Sequence, residues 1–274
     1  MKDEQRPLPS YANPPVGEVV FGVQFAPLAD LLAPHLGRFW ARIVDDYPKI
    51  EEQPPIRHVI EDFGGQAPPE VVQIQVMSKP ELPRCWFLDS EGARLIQVQR
   101  DRFVFNWRRT NPNQEYPRYP PLKARFLDHW AAFREFLSSE GLPVPPVDQC
   151  ELTYVNHILR CLEWETMADF RDLFSFLGWA PRESFLPLPE DVRMAIRYRL
   201  PGNQGRLHAE ISPARRKSDT AEIVRFTLTA RGRPDGEMTD AAVSAWFDLA
   251  HEWITRGFVD MTGRGTDALW GRER

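Results

Sequence analysis

The sequence predicts an α+β fold, a curved antiparallel sheet with helices packed on one face, built by internal duplication of a strand–helix–strands–helix unit. Three observations point there. Apolar residues alternate with period two in segments such as 17–25, where Val19, Phe21, Val23 and Phe25 share one face. Elsewhere the spacing turns helical, as in the stripe Phe126, Leu127, Trp130, Phe133 and Leu137. The order of elements then restarts after Pro143, Pro145 and Pro146. An extended lead-in, 1–15, thus precedes two similar halves, 16–147 and 148–274, which stand either as two units or as one fused pseudo-symmetric domain. The alternative is one continuous α+β sheet whose order is merely repetitive.

The elements follow in order. Residues 17–25 form a half-buried strand, and residues 28–47 carry Leu32, Leu36, Phe39, Trp40, Ile43 and Val44 at helical spacing until Pro48 stops the helix. Pro54, Pro55, Gly64, Gly65, Pro68 and Pro69 make 53–69 an irregular connection. Strands are expected over 71–77 and 85–88, and over 94–109 with a reversal near Arg100 to Arg102. A Pro-rich loop, 112–121, leads into a helix over 122–139, with Gly141 as its C-terminal cap. The second half reads as a strand over 149–159, a short helix over 167–177, and strands over 191–200, 205–211 and 222–231. A helix over 239–262 follows, capped by Thr239 or Asp240 and broken near Gly257.

Composition excludes several classes. With 274 residues, 42% hydrophobic and 27% charged, the chain can bury a sizeable core and is not broadly disordered. A net charge of −5 supplies no overall positive field, so nucleic acid is disfavoured as a partner, although a local arginine patch remains open. The first fifteen residues lack an apolar signal-peptide core, and no stretch approaches the roughly 18 apolar residues of a membrane helix. Cys85, Cys150 and Cys161 are odd in number and lack CxxC spacing, which argues against a disulfide framework and a zinc knuckle. These features predict a cytoplasmic protein with reduced thiols and no membrane contact.

Catalytic and cofactor motifs mostly fail. The chain has no GxSxG elbow, GxxxxGK[ST] loop, HExxH pair or calcium loop. Gly263 to Ala268 fits the loose GxGxxG/A pattern but follows a helix rather than a strand, so no cofactor is expected there. His251 and Glu252 lack a second histidine one turn on, because Thr255 stands there, and no metal is predicted. Asp45 and Asp46, like Glu51 and Glu52, are sequence neighbours that diverge rather than face each other across a cleft.

The informative feature is the strand face opposite the core. In the first half it carries Gln24, Gln73, Gln75, Gln97, Gln99, Asn106 and Arg108; in the second, Arg193, Arg197, Arg199, Arg225, Thr227, Thr229 and Arg231. Helices on one side leave the other face open to water, and solubility alone is one explanation. Amides and guanidinium groups, however, make planar, directional hydrogen bonds suited to carboxylate, phosphate or peptide groups. In 148–157, Glu151 and His157 share that face, whereas Asn156 points with the core residues Cys150, Leu152 and Tyr154. Asn156 is either a structural anchor or the floor of a polar pocket. The candidate ligand-binding residues are Gln97, Gln99, Asn106, Arg108, Glu151, His157, Arg197, Arg199 and Arg225. Alternation that turns Val192, Met194, Ile196, Tyr198 and Leu200 to the helices sends Arg197 and Arg199 to this face. These cations converge on an anionic ligand or pair with acids such as Glu210 and Glu222.

The segments Asn13 to Phe21, Arg94 to Phe103, Asn106 to Arg108, Gln149 to Asn156 and Ala250 to Phe258 together resemble a sporadically distributed bacterial protein family over nearly the whole chain, from about residue 13 to Arg272. The resemblance implies a bacterial origin and supplies no catalytic residues. A patchy distribution is compatible with defence, stress or mobile-element roles. The repeat order also resembles a duplicated TATA-binding-protein-like or helix-grip arrangement, an analogy that carries no function with it.

The leading expectation is a non-enzymatic binding or regulatory protein whose Gln/Asn/Arg face holds a small anionic ligand or a protein partner. The alternative is a hydrolase or transferase built on Glu151, His157, Asn106 and Arg108, which requires Glu151 and His157 to share a cleft beside Arg108.

Overall fold

The structure is a computed structural model and describes residues 7–61, 82–177, 183, 185–216 and 219–274. Strict alternation in β1 (Val16–Gln24) buries Val19, Phe21 and Val23 completely on one face. In chain order the other strands are β2 (Lys49–Gln53), β3 (Arg84–Leu88), β4 (Arg94–Gln99), β5 (Arg102–Arg108), β6 (Gln149–Leu159), β7 (Met194–Arg199), β8 (Gly205–Arg215) and β9 (Glu222–Gly232). They form one nine-stranded sheet in the order β2-β3-β4-β5-β1-β6-β9-β8-β7, with every neighbouring pair antiparallel. β1 pairs with β6, Phe21 opposite Leu152, and this ladder joins residues 16–147 to 148–274. Outward from that ladder one wing runs β5, β4, β3, β2 and the other β9, β8, β7.

The helices cover the apolar face. They are α1 (Ala33–Ile43), α2 (Tyr119–Ser139), the single turn α3 (Phe170–Leu173), α4 (Asp240–Met261) and α5 (Gly265–Trp270). The Phe21 ring of β1 meets Tyr119 and Phe126 of α2 and Phe247 of α4, with centroids 5.4–5.8 Å apart. Phe39 of α1 packs on Phe87 of β3 and on Phe133 and Phe136 of α2. On the second wing Phe226 of β9 stacks on Phe258 of α4. Aromatic rings thus fix two long helices against the central strand, and among the described residues no helix covers the opposite sheet face.

Several boundaries differ from the sequence expectation for identifiable reasons. α2 begins at Tyr119 because Pro120 and Pro121 fall in its first turn, where the missing N–H has no intrahelical partner to lose. α1 starts only at Ala33, with Pro34 in its first turn. The closing helix does not break at Gly257: a Cβ there would come within 2.9 Å of Leu207, so the glycine admits β8 to the helix surface. Its N-cap is Thr239, whose Oγ1 accepts the Ala242 N–H at 3.1 Å. The expected helix at 167–177 reduces to a 3₁₀ turn, Met167–Asp169, followed by α3. Gly263 to Ala268 leads from α4 into the six-residue α5, with no strand before it. β2 was not expected: Glu51 and Glu52 sit on an edge strand paired with β3, its residues almost all exposed, so no apolar alternation marks it. The expected strand over 71–77, with Gln73 and Gln75, lies outside the described residues. Among the described residues no helix is long and apolar enough to cross a membrane.

Candidate functional site

On the helix-free face, period-two alternation brings Gln97, Asn106 and Glu18 together across three adjacent strands, with Arg84 beyond them on β3. The Arg84 guanidinium donates to Gln97 Oε1 at 2.9 Å, Gln97 Nε2 to Asn106 Oδ1 at 2.6 Å, and Asn106 Nδ2 to Glu18 Oε1 at 2.6 Å. A guanidinium only donates and a carboxylate only accepts, so the two ends fix both amide orientations between them. Gln97 and Asn106 therefore rigidify the face. Arg108 donates to the Gly92 carbonyl at 2.7 Å, and its guanidinium lies 5.8 Å from the Trp86 ring centroid.

A second polar row crosses the sheet nearer its other end. Gln99 stands opposite Arg102, Arg102 opposite Gln24, and Gln24 opposite Gln149. Residues 54–61, which leave β2 after Gln53, lie across this row as an extended strap. The Ile56 N–H donates to Gln99 Oε1, and Gln99 Nε2 donates to the Ile56 carbonyl, both at 2.9 Å. The other Gln99 amide hydrogen goes to Asp101 Oδ1 at 2.5 Å, and that carboxylate also meets His58 at 2.8 Å. Arg102 donates to the Arg57 carbonyl at 3.1 Å. Gln149 repeats the pattern: its Oε1 accepts the Glu61 N–H, and its Nε2 donates to the Val59 carbonyl, both at 2.7 Å. Five residue steps at about 3.4 Å span about 17 Å, and the three strand spacings from β4 to β6 span about 14 Å. An extended strap therefore reaches β6 and carries the Glu61 side chain onto the second wing.

There the Glu61 carboxylate enters a basic pocket. Arg206 of β8 donates to its Oε2 at 2.6 Å, His208 of β8 bonds its Oε1, and Arg231 of β9 lies 3.9 Å away. The side chain is only 9% exposed. Burial alone would raise its pKa, but the hydrogen bonds from His208 and Arg206 and the attraction of His208 and Arg231 overcome this and hold it down to about 2. Nearby, Gln24 Oε1 and Arg102 Nε are buried without a hydrogen-bond partner among the described residues.

The remaining predicted residues distribute around these rows. Glu151 accepts from Arg231 Nε at 2.6 Å and so braces the basic pocket. Arg199 and Arg197 of the edge strand β7 stand opposite Arg206 and His208, extending the positive row, and neither has an acidic partner among the described residues. Glu222, considered as a partner for these arginines, is bonded by Arg160 and Arg215. Arg225 stands opposite His157 and reaches Ser212 at 3.4 Å. His157 lines a separate pocket of about 290 Å³ with Arg109 and Arg216. Burial and the surrounding Arg216, Arg109 and Arg225 push its pKa down to about 4. The structure thus gathers Gln99, Glu151, Arg197 and Arg199 around the strap row; it does not bring Glu151, His157 and Arg108 into one cleft.

Neither a protein-family model nor a curated protein matches the chain.

The sequence reading missed one feature entirely and saw one residue of another. Glu61 lies in a Pro-rich stretch with no periodicity, and its only signal is a carboxylate within reach of an Arg-rich face. The second is a cavity of about 560 Å³ between the sheet and helices α2 and α4, lined by Tyr116, Tyr119, Tyr154, Asn156 and His251. Tyr154 bonds Tyr116 at 2.9 Å and His251 Nδ1 at 3.1 Å, and His251 stacks on Tyr119 with centroids 3.8 Å apart. Burial lowers the His251 pKa to about 4 and raises Tyr116 to about 12, so both are neutral near pH 7. Asn156, which alternation turned toward the core, is 2% exposed and donates to the Phe226 carbonyl at 3.1 Å while lining this cavity. Among the described residues no cluster of three or more His, Cys, Asp or Glu side chains could hold a metal. The Cys150 thiol is fully buried and its pKa is raised by that burial, as expected of a structural cysteine.

Proposed function

We propose that the chain is a cytoplasmic, non-enzymatic binding or regulatory protein of a sporadically distributed bacterial family, acting in a defence or mobile-element setting. Its polar sheet face holds an anionic ligand or protein partner. The observation that carries this reading is the Glu61 carboxylate, enclosed by Arg206, His208 and Arg231. A carboxylate from the chain itself stands where an anionic ligand would, and charge-assisted bonds of this kind are the strong ones. Arg197 and Arg199, which have no acidic partner among the described residues, border the same row. The separation of Glu151, His157 and Arg108 favours binding over the hydrolase or transferase alternative.

The same reading includes an internal duplication. β1 and β6 occupy equivalent central places, and each wing lays its strands down in reverse chain order outward from them. The duplicated sheet then carries an amide-rich wing and a basic wing on one continuous face.

Calorimetric titration of glutarate into the Glu61→Ala variant tests the proposal. Saturable binding that Arg206→Gln weakens at least tenfold is expected. An absence of binding in Glu61→Ala, or binding indifferent to Arg206, would overturn it.

A further inference from the structure

We infer that the row from Gln99 through Arg102 and Gln149 to Arg206 is a groove for an extended acidic segment of a partner polypeptide, and that residues 56–61 are its built-in occupant. The inference rests on the reading of this face as a binding surface and names the partner's chemistry.

Four observations carry it. First, the row grips main-chain atoms: Gln99, Arg102 and Gln149 bond the Ile56 N–H and carbonyl, the Arg57 and Val59 carbonyls and the Glu61 N–H. Side chains that read backbone groups accept any extended segment, much as a sheet edge accepts an added strand. Second, the acidic side chain is read at one place only, where Glu61 meets two arginines and a histidine. That contact supplies specificity for an acid at one register position.

Third, the strap's apolar side chains are only partly buried. Ile56, Val59 and Ile60 remain 37%, 48% and 47% exposed, while the carboxylate is buried. Polar contacts therefore hold the strap, and a competing segment that offers the same backbone groups and an acid at the Glu61 position can take its place. Fourth, positive charge continues beyond Glu61. Arg197 and Arg199 on β7 lie one strand further along the row with no acidic partner among the described residues. The strap therefore leaves part of the groove's charge unanswered. A partner carrying one acid at the Glu61 position and a second toward β7 would satisfy both.

The test uses the full chain carrying Glu61→Lys, which repels the strap's end from the basic pocket, with Glu61→Ala as a second background that removes the carboxylate without adding charge. Two probes are titrated by calorimetry: an acetylated, amidated peptide copying residues 54–61, and glutarate. The expected result is peptide binding at least tenfold tighter than glutarate. Gln149→Leu in the same background should weaken the peptide at least fivefold and leave glutarate unchanged. Replacing the peptide's final glutamate by glutamine should also weaken it at least tenfold. If the peptide binds no more tightly than glutarate, or ignores Gln149→Leu, the groove is not a peptide site, while the face stands as an anion surface. If neither probe binds either background, both readings fall. Should both variants lose their fold, millimolar peptide added to the wild-type chain gives the answer: accelerated exchange of the Glu61 amide supports displacement, and unchanged exchange overturns it.

Discussion

The side chain of Gln99 and the backbone of Ile56 exchange two hydrogen bonds, N–H to Oε1 and Nε2 to carbonyl oxygen, each 2.9 Å long. Asp101 holds the remaining amide hydrogen and so prevents the amide from flipping. A side chain thus does for the strap what a neighbouring strand does in a sheet. Gln149 does the same for Glu61 and Val59. In hydrogen-exchange measurements, the Ile56 and Glu61 amides should be protected. Gln149→Leu should release Glu61 at least tenfold while Ile56, held by Gln99, changes much less. Equal loss at both would show that the strap docks as a single unit.

The directional chain from Arg84 through Gln97 and Asn106 to Glu18 stabilises the first wing. Asn106→Leu leaves the buried Gln97 amide without its acceptor and removes one donor from Glu18. It should cost about 1–3 kcal/mol in urea unfolding. Replacing Gln97 and Asn106 together by leucine should cost less than the sum of the single changes, because the orphaned amide is removed as well. Additive losses would mean that the two amides act independently.

Acid should destabilise the fold earlier than carboxylate titration alone would. Burial holds His129, His157 and His251 down to about 4 in the folded chain, against 6.5 for a free imidazole. As pH falls below 6.5 the unfolded chain takes up these protons first, so stability is complete above that value and declines until about pH 4. The loss is on the order of 2 kcal/mol per histidine, and less for the more exposed His157. Urea midpoints measured from pH 7 to pH 4.5 should fall steadily. A flat profile to pH 5 would contradict the buried, neutral assignment.

Phe21 is fully buried where α2 and α4 meet the central strand. Phe21→Ala should cost about 3–5 kcal/mol, because the rings around it cannot all collapse into the cavity. Calorimetric unfolding would read it, and a loss below 1 kcal/mol would show that the sheet and helices are held together elsewhere.

What the sequence revealed follows from where periodicity operates. Alternation in β1, β4, β5 and β6 placed Phe21, Phe105 and Leu152 in the core and Gln97, Asn106 and Glu151 opposite, because a strand with one buried face repeats every two residues. β2 escaped because an exposed edge strand, here Lys49 to Gln53, has no buried face to pattern. Of the strap the sequence showed only an irregular Pro-rich connection, because Ile56 to Glu61 is held by hydrogen bonds to distant side chains, and no local spacing encodes a partner 145 residues away such as Arg206. The roles of Gln97 and Gln99 were equally illegible. They share one face two residues apart, yet one bonds its own sheet and the other bonds the strap. The Tyr154–His251 contact joins a strand to a helix 97 residues on and exists only after the layers pack.

Arg206, His208 and Arg231 enclose the Glu61 carboxylate, and the titration of that carboxylate reads the enclosure. The Glu61 pKa is depressed from 4.5 to about 2, so docking of the strap is fully supported above pH 4.5 and lost as pH falls through 2. Carbon-detected NMR of the glutamate side-chain carboxyl groups, assigned through Glu61→Gln, follows that proton. A Glu61 midpoint well below 4, returning toward 4.5 in Arg206→Gln, is the predicted result. A midpoint at 4.5 in the wild-type chain would place the carboxylate in water, outside the basic pocket.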